Sequence, residues 1–227
     1  MTDNIDKYNK GNATVKNGAD DQKSDKTDNL ENNIEDNERK MVDVIIPTYR
    51  PAKEFGELLH RLEKQEYRPN RILVMNTGKE YWNSEWENYP LLEVHHLDQK
   101  DFDHGGTRKR AAELSTADIM VFMTQDALPA DRKMIGNLVR AVSRNSGTGA
   151  AYARQLPNAD CRFLERYTRS FNYPEQSSVK SLSDVETYGI KTYFCSNVCA
   201  AYDREIYQTS SRSSKCRRYR RCTSYRG

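Results

Sequence analysis

Ile119 to Met123 is a run of five large apolar residues held between Asp118 and Thr124. A run this short suits a strand covered on both faces better than a buried helix, which needs about ten residues or more. Such a strand requires other strands beside it and helices above and below. Val42 to Ile46, Arg71 to Met75 and Leu92 to His96 are three further short, largely apolar runs. Between the first two lies Ala52 to Gln65, where Leu58, Leu59 and Leu62 keep helical spacing among charged residues. The order strand, helix, strand makes that pair parallel. Trp82 and Trp86 fall in a polar connection or short helix, and a helix from Thr107 to Leu114 follows two glycines. Pro129 and Asp131 open another helix, with Met134, Ile135, Leu138, Val139 and Val142 as its apolar face. Gly149 to Arg154 returns as a strand, and Asp160 to Tyr173 is a helix rich in Arg and aromatics. Ser177 to Thr187 reads as a polar loop, and Phe194 to Tyr202 is the last credible element. The fold class is α/β, a mainly parallel sheet with helices on both faces.

The 227 residues divide by composition into an extension at 1–40, a folded domain at 41–208 and a tail at 209–227. The extension holds ten acids and seven bases, with Tyr8 its one aromatic residue and its few apolar residues scattered without period. It cannot bury enough surface to offset its chain entropy, so disorder is expected. No apolar core of a signal peptide opens the sequence, and no stretch approaches the ~18 apolar residues of a membrane span. The expected location is therefore the cytoplasm, with at most peripheral contact at the inner face of the membrane.

The tail carries seven Lys or Arg, no acid and no aliphatic residue. Since the whole chain is only +3, the basic balance belongs to the tail and not to the folded part. Such a segment could bind nucleic acid or anionic lipid, but its abrupt start after Gln208 favours a tail with no selected function; no specific nucleic-acid partner is expected. Five cysteines without an export signal are expected as reduced thiols. Their spacings are not those of a zinc finger or ribbon, and Cys195 and Cys199 are expected to pack in a core.

Ligands of open α/β sheets sit just outside the carboxyl ends of the strands. Gln125 and Asp126 stand at such an end, where a carboxylate can hold a metal ion against a phosphate. In F-D-H-G-G-T-R, residues 102–108, Gly105 and Gly106 remove side chains where backbone would approach a ligand. Arg108 offers a planar donor fork suited to a phosphate.

V-D-V-I-I-P-T-Y-R, the second strand with its polar end, F-D-H-G-G-T-R, and the strand ending in T-Q-D-A together resemble family 2 glycosyltransferases of the GT-A fold. The middle pair looks most like bacterial rhamnosyltransferases that build surface polysaccharides from dTDP-rhamnose. The likeness runs from about Val42 to Tyr207. It implies an inverting transfer to a growing cell-surface or lipid-linked glycan, assisted by Mg2+ or Mn2+. Pro47, Thr48 and Tyr49 match the turn bordering the nucleotide base, and Arg50 is in reach of a phosphate. At the second strand end Asn76 and Thr77 replace the family's frequent acid, and an amide there can still pair with a pyrimidine edge. Asp103 holds the ribose, caps the following helix, or both, and His104 is a substrate contact or a structural donor. Arg108 is placed for a phosphate or for Asp126. Asp126 matches the last acid of the family's D-x-D motif, with Thr124 in the first acid's place, which implies water-rich metal coordination.

Transfer to a hydroxyl needs a general base near the acceptor. In the family it comes from an acidic pair shortly beyond the segment matching S-N-V-C-A-A-Y-D-R-E-I-Y, and here neither glycines nor such a pair follow Gln208. The tail is accordingly expected to be a changed reading frame or a truncation, and no catalytic base is assigned. Asp203 and Glu205 are the nearby acids and are not expected to replace it. The competing reading is a catalytically defective remnant that only binds nucleotide-sugar.

Overall fold

The computed structural model describes residues 39–145, 147–157 and 161–212. Most of the expected disordered extension and most of the basic tail, with Cys216 and Cys222, lie outside those residues, as does Asp160. In chain order the elements are β1 (Val42–Tyr49), α1 (Glu54–Glu63), β2 (Arg71–Thr77), β3 (Leu92–Leu97), α2 (His104–Leu114) and β4 (Ile119–Met123). There follow α3 (Met134–Ser143), β5 (Ala150–Tyr152), α4 (Phe163–Asn172), α5 (Val185–Tyr188), β6 (Cys199–Asp203) and α6 (Arg204–Arg212). They form one sheet in the order β3-β2-β1-β4-β6-β5. β1 pairs in parallel with β2 and β4, and β2 with β3, while β6 enters antiparallel between β4 and β5. The expected mainly parallel sheet is what forms, with one reversed strand.

Period-two alternation divides the core. Val42, Val44, Ile46, Ile72, Val74, Ile119, Val121 and Met123 face Phe55, Leu58, Leu59 and Leu62 of α1 and Ile135, Leu138, Val139 and Val142 of α3. Ile45, Leu73, Met75, Met120 and Phe122 face Ala111 and Ala112 of α2, with Tyr202 and Tyr207 beside them. Covering on both faces explains why the strands read as continuous apolar runs. Trp82 and Trp86 lie in or beside 3₁₀ turns and pack edge-on against each other and Phe55, so the polar connection carries core residues.

Several boundaries differ from the sequence expectation. β1 does not stop at Pro47 but continues to Tyr49 along β2. Its pairing with β4 ends at Ile45, so Pro47 lies on a stretch with one strand partner, where a missing N–H is tolerated. α2 begins at His104, three residues before Thr107, because Asp103 caps it by accepting from the Gly106 N–H. β6 starts only at Cys199, and the preceding Val198 carbonyl accepts from Thr124 N–H at 3.0 Å, beyond the end of β4. The Ser177–Thr187 loop contains a 3₁₀ turn at Leu182–Asp184 and runs into α5, its entry fixed by a capping box between Ser181 and Asp184. α6 continues through Arg212, past the boundary drawn at Gln208. Cys199 is buried, whereas Cys195 is only partly so.

At the amino end of the sheet, fully buried Asp43 interrupts the apolar β1 pattern. Arg71 Nη2 donates to it at 2.8 Å and Ser115 Oγ at 2.7 Å, while Arg71 Nη1 donates to Glu93 at 2.7 Å. These carboxylates push the Arg71 pKa up, the Asp43 hydrogen bond contributing most. Removing one member of a buried pair leaves the other unpaired. Arg71 keeps Glu93 and some solvent, so Asp43→Ala should lower unfolding free energy by about 2–4 kcal/mol in urea denaturation.

The α2 cap gives a second test. A Cβ on Gly106 would lie 2.8 Å from Asp103 Oδ2, whereas one on Gly105 would make ordinary contact at 3.7 Å. Gly105→Ala should stabilise by up to about 1 kcal/mol, and Gly106→Ala should forfeit that gain by displacing the cap, a difference of about 1 kcal/mol in denaturant titrations.

Candidate active site

Because β1, β2, β3 and β4 are mutually parallel, their carboxyl ends open on one edge of the sheet. That edge gathers Pro47, Thr48, Tyr49 and Arg50 from β1, Asn76 and Thr77 from β2, and Gln125 and Asp126 after β4. The chain leaving β3 on the same edge passes through a short 3₁₀ turn, Gln99–Asp101, into Asp103 and the start of α2. The topology thus brings the expected residues to one edge, but it does not present all their side chains outward.

Thr48 and Asn76 point inward. Thr48 Oγ1 donates to Asn76 Oδ1 at 2.9 Å, and Asn76 Nδ2 reaches His96 Nδ1 at 3.0 Å. Thr48 and Asn76 are both buried, so the amide expected to meet a pyrimidine edge is instead committed to β1 and β3. His96 accepts at Nδ1 as a neutral ring, and its pKa is pushed down by burial first and then by the Lys79 charge. Its role was not legible in sequence, where H-H in a strand carries no partner information. Thr77 is also buried, and its Oγ1 has no hydrogen-bond partner.

What reaches solvent at the β1 end is Tyr49 and Arg50. Arg50 adopts φ +47°, a left-handed conformation uncommon for a residue with a side chain. Its guanidinium lies 4.4 Å from the Tyr81 ring centroid and 5.1 Å from that of Tyr49, a cation–π arrangement with two rings. Tyr81 follows Gly78, whose φ of +82° turns the chain after β2. Sequence reading missed Tyr81, and an aromatic three residues after N-T-G was the available signal.

At α2, Asp103 is the helix cap, and His104 and Gly105 are exposed. Gly106 is glycine because a Cβ would strike the cap, which accounts for it without a ligand. His104 packs edge-on against Phe102 at 5.0 Å. Arg108 falls in the second turn of the helix, not the first, and its Nε is buried without a partner. Its charge acts on Tyr202, opposing the rise in that phenol's pKa that burial causes.

After β4 the chain turns, with Ala127 N–H bonded to the Thr124 carbonyl at 3.2 Å. Gln125 binds the Tyr49 backbone, accepting from its N–H at 2.8 Å and donating to its carbonyl at 3.1 Å. Asp126 is exposed, and Thr124 Oγ1 is a buried oxygen without a partner. No group of three or more His, Cys, Asp or Glu capable of holding a metal occurs among the described residues. One free carboxylate fits a hard divalent ion that takes its remaining oxygens from substrate phosphates and water, and does not fit an ion held by protein alone. Asp203 and Glu205 stand elsewhere. Asp203 pairs with Ile119 at the start of β4, the end of the strand opposite to Asp126, and caps α6 by accepting from Ile206 N–H at 3.1 Å.

On the far side of the edge, Gln155 follows β5, which runs parallel to β4. Gln155 Nε2 donates to Tyr173 Oη at 2.6 Å and Ser196 Oγ at 3.0 Å, and Arg169 Nη1 donates to Gln155 Oε1 at 2.8 Å. A cleft of about 540 Å³ opens over these residues and α4. α4 itself buries no residue, and Phe163, Leu164, Tyr167 and Phe171 are exposed along it. No helix among the described residues is long and apolar enough to cross a membrane.

The chain resembles two curated proteins over its folded part. It is 38% identical over 177 residues to the O-antigen chain rhamnosyltransferase RfbN of Salmonella typhimurium, covering 75% of this chain and 54% of that protein. It is 29% identical over 167 residues to the O-antigen chain rhamnosyltransferase WbaN of Salmonella anatum, covering 73% and 53%. The chain therefore spans about half the length of the curated relatives it matches. Among solved structures, the mannosyltransferase PcManGT from Pyrobaculum calidifontis, in complex with GDP-Man and Mn2+, superimposes with a TM-score of 0.55 at 20% identity, over 76% of this chain and 47% of that one. S. aureus TarS 1-349 does so with a TM-score of 0.53 at 16% identity, over 75% and 49%. These likenesses bear on fold and agree with the GT-A architecture. Residues 43–210 match glycosyl transferase family 2, and on that match the chain belongs to this family.

Proposed function

We propose that the protein of this chain transfers rhamnose from dTDP-rhamnose to a growing, lipid-linked O-antigen glycan, with inversion and with help from Mg2+ or Mn2+. The observation that carries the reading is the exposed Asp126 carboxylate just beyond the carboxyl end of β4, on the sheet edge where Tyr49 and Arg50 also lie. Both curated relatives are named O-antigen chain rhamnosyltransferases, which supports the choice of sugar and acceptor class. Asp126 would hold the divalent ion, which would supply positive charge to the departing diphosphate.

The chain's own residues supply the rest of the donor side. Tyr49 and Tyr81 offer aromatic surface to the base, and Arg50 exchanges its two rings for a phosphate when the donor enters. Pro47, Thr48, Asn76 and Thr77 shape the floor, with Thr48 and Asn76 acting through backbone and through the buried hydrogen bonds that fix them. Asp103, His104 and Gly105 border the sugar side, and Arg108 contributes positive potential from the second turn of α2. The acceptor lies toward the cleft at Gln155 and α4. Work on a lipid-linked acceptor places the enzyme in the cytoplasm at the inner face of the membrane, through peripheral contact.

A second reading is a nucleotide-sugar binding module without turnover. It is favoured by Asp203 and Glu205 lying at the opposite edge, which leaves no general base assigned among them. Titration calorimetry with dTDP and UDP, with and without Mn2+, tests the common part. Binding should tighten with Mn2+, and Asp126→Ala should remove about tenfold or more of that gain. Absence of metal-dependent binding, or an unaltered Asp126→Ala, would count against both readings. Release of dTDP from dTDP-rhamnose in the presence of lipid-linked glycan separates enzyme from binding module.

A further inference from the structure

Gln125 stands among the residues expected to touch the donor, yet both ends of its amide are engaged within the protein. The pairing of β1 with β4 ends at Ile45 opposite Phe122, and β1 runs on to Tyr49. There the Gln125 side chain accepts from Tyr49 N–H at 2.8 Å and donates to Tyr49 carbonyl at 3.1 Å. A parallel neighbour would satisfy these two groups from two different residues; here one side-chain amide satisfies both where the β1–β4 ladder has ended. Its neighbours give the bond its consequence. The residue after Tyr49 is Arg50, held at φ +47° between two aromatic rings, and the residue after Gln125 is Asp126.

We infer that Gln125 is a positioning residue: it latches the Tyr49–Arg50 turn to the turn carrying Asp126, so that cation and carboxylate keep one fixed spacing across the site. It contacts no donor atom. The latch restrains both turns where backbone pairing has ended and where Arg50 holds a conformation that local preference does not favour. The inference rests on the donor-site reading of Asp126.

Gln125→Met keeps the length of the side chain and removes both hydrogen bonds. In hydrogen exchange, the Tyr49 amide should exchange about tenfold faster or more in this variant, while the Ile45 and Ile46 amides remain as in the parent. In calorimetry with dTDP, the affinity gained on adding Mn2+ should fall about fivefold or more. A residue that merely stabilised the fold would lower the melting temperature without moving that ratio. Gln125→Glu retains the bond from Tyr49 N–H and loses the other, so Tyr49 exchange should be intermediate, and this variant decides the matter should Gln125→Met not fold.

Unchanged Tyr49 exchange, or an unchanged Mn2+-dependent gain, overturns the inference. If the parent itself shows no Mn2+-dependent binding, the functional reading falls, and the latch then stands or falls on Tyr49 exchange alone.

Discussion

Parallel pairing of β1 with β2 on one side and β4 on the other is the constraint on which the rest depends. It fixes direction, so every loop that leaves these strands at the carboxyl end meets at one edge. It also fixes register, placing Tyr49 opposite Thr77 and ending the β4 contact four residues earlier at Ile45. That unequal length opens a notch beside β1. Pro47 is tolerated in the notch because it lacks one neighbour, and Gln125 closes it with a side-chain amide.

The two ends of the sheet use polar groups differently. At the amino end, Asp43, Arg71, Ser115 and Glu93 form a closed set in which a buried carboxylate is paired and hydrogen-bonded. These bonds tie β1, β2 and β3 to the end of α2, a structural role. At the carboxyl end, Thr48, Asn76 and His96 tie three strands together in the same manner, while Thr77 Oγ1, Thr124 Oγ1 and Arg108 Nε are buried without partners. Unsatisfied polar atoms are costly in a packed interior and are commonly retained where function requires them. Arg71 Nε and Arg204 Nε are likewise buried without partners at the amino end, so such atoms occur at both ends of the sheet.

The half of the fold beyond β5 is built on other terms. α4 presents Phe163, Leu164, Tyr167 and Phe171 to solvent, and Ile190 is likewise exposed, although Gln155, Tyr173 and Ser196 form an internal polar knot beneath. The relatives are about twice as long as the matched segment.

Short apolar runs with polar ends and intervening helical spacing were enough to establish an α/β sheet, its first four strands and the edge on which a site would lie. Those inferences depend on chain direction and periodicity, which are local properties. T-Q-D-A also marked Asp126 as an acid at a strand end, and the structure leaves it exposed. Which way the polar side chains face was decided only by tertiary structure, because threonine, asparagine and glutamine satisfy backbone, one another or a ligand equally well. Thr48 and Asn76 turn inward, Gln125 is taken by Tyr49, and Gly106 serves a cap. Asp43 was invisible as a buried charge because its partners Arg71 and Ser115 are 28 and 72 residues away in sequence. Tyr81 joins Arg50 only because β2 lies beside β1, a contact between strand ends that no local pattern encodes.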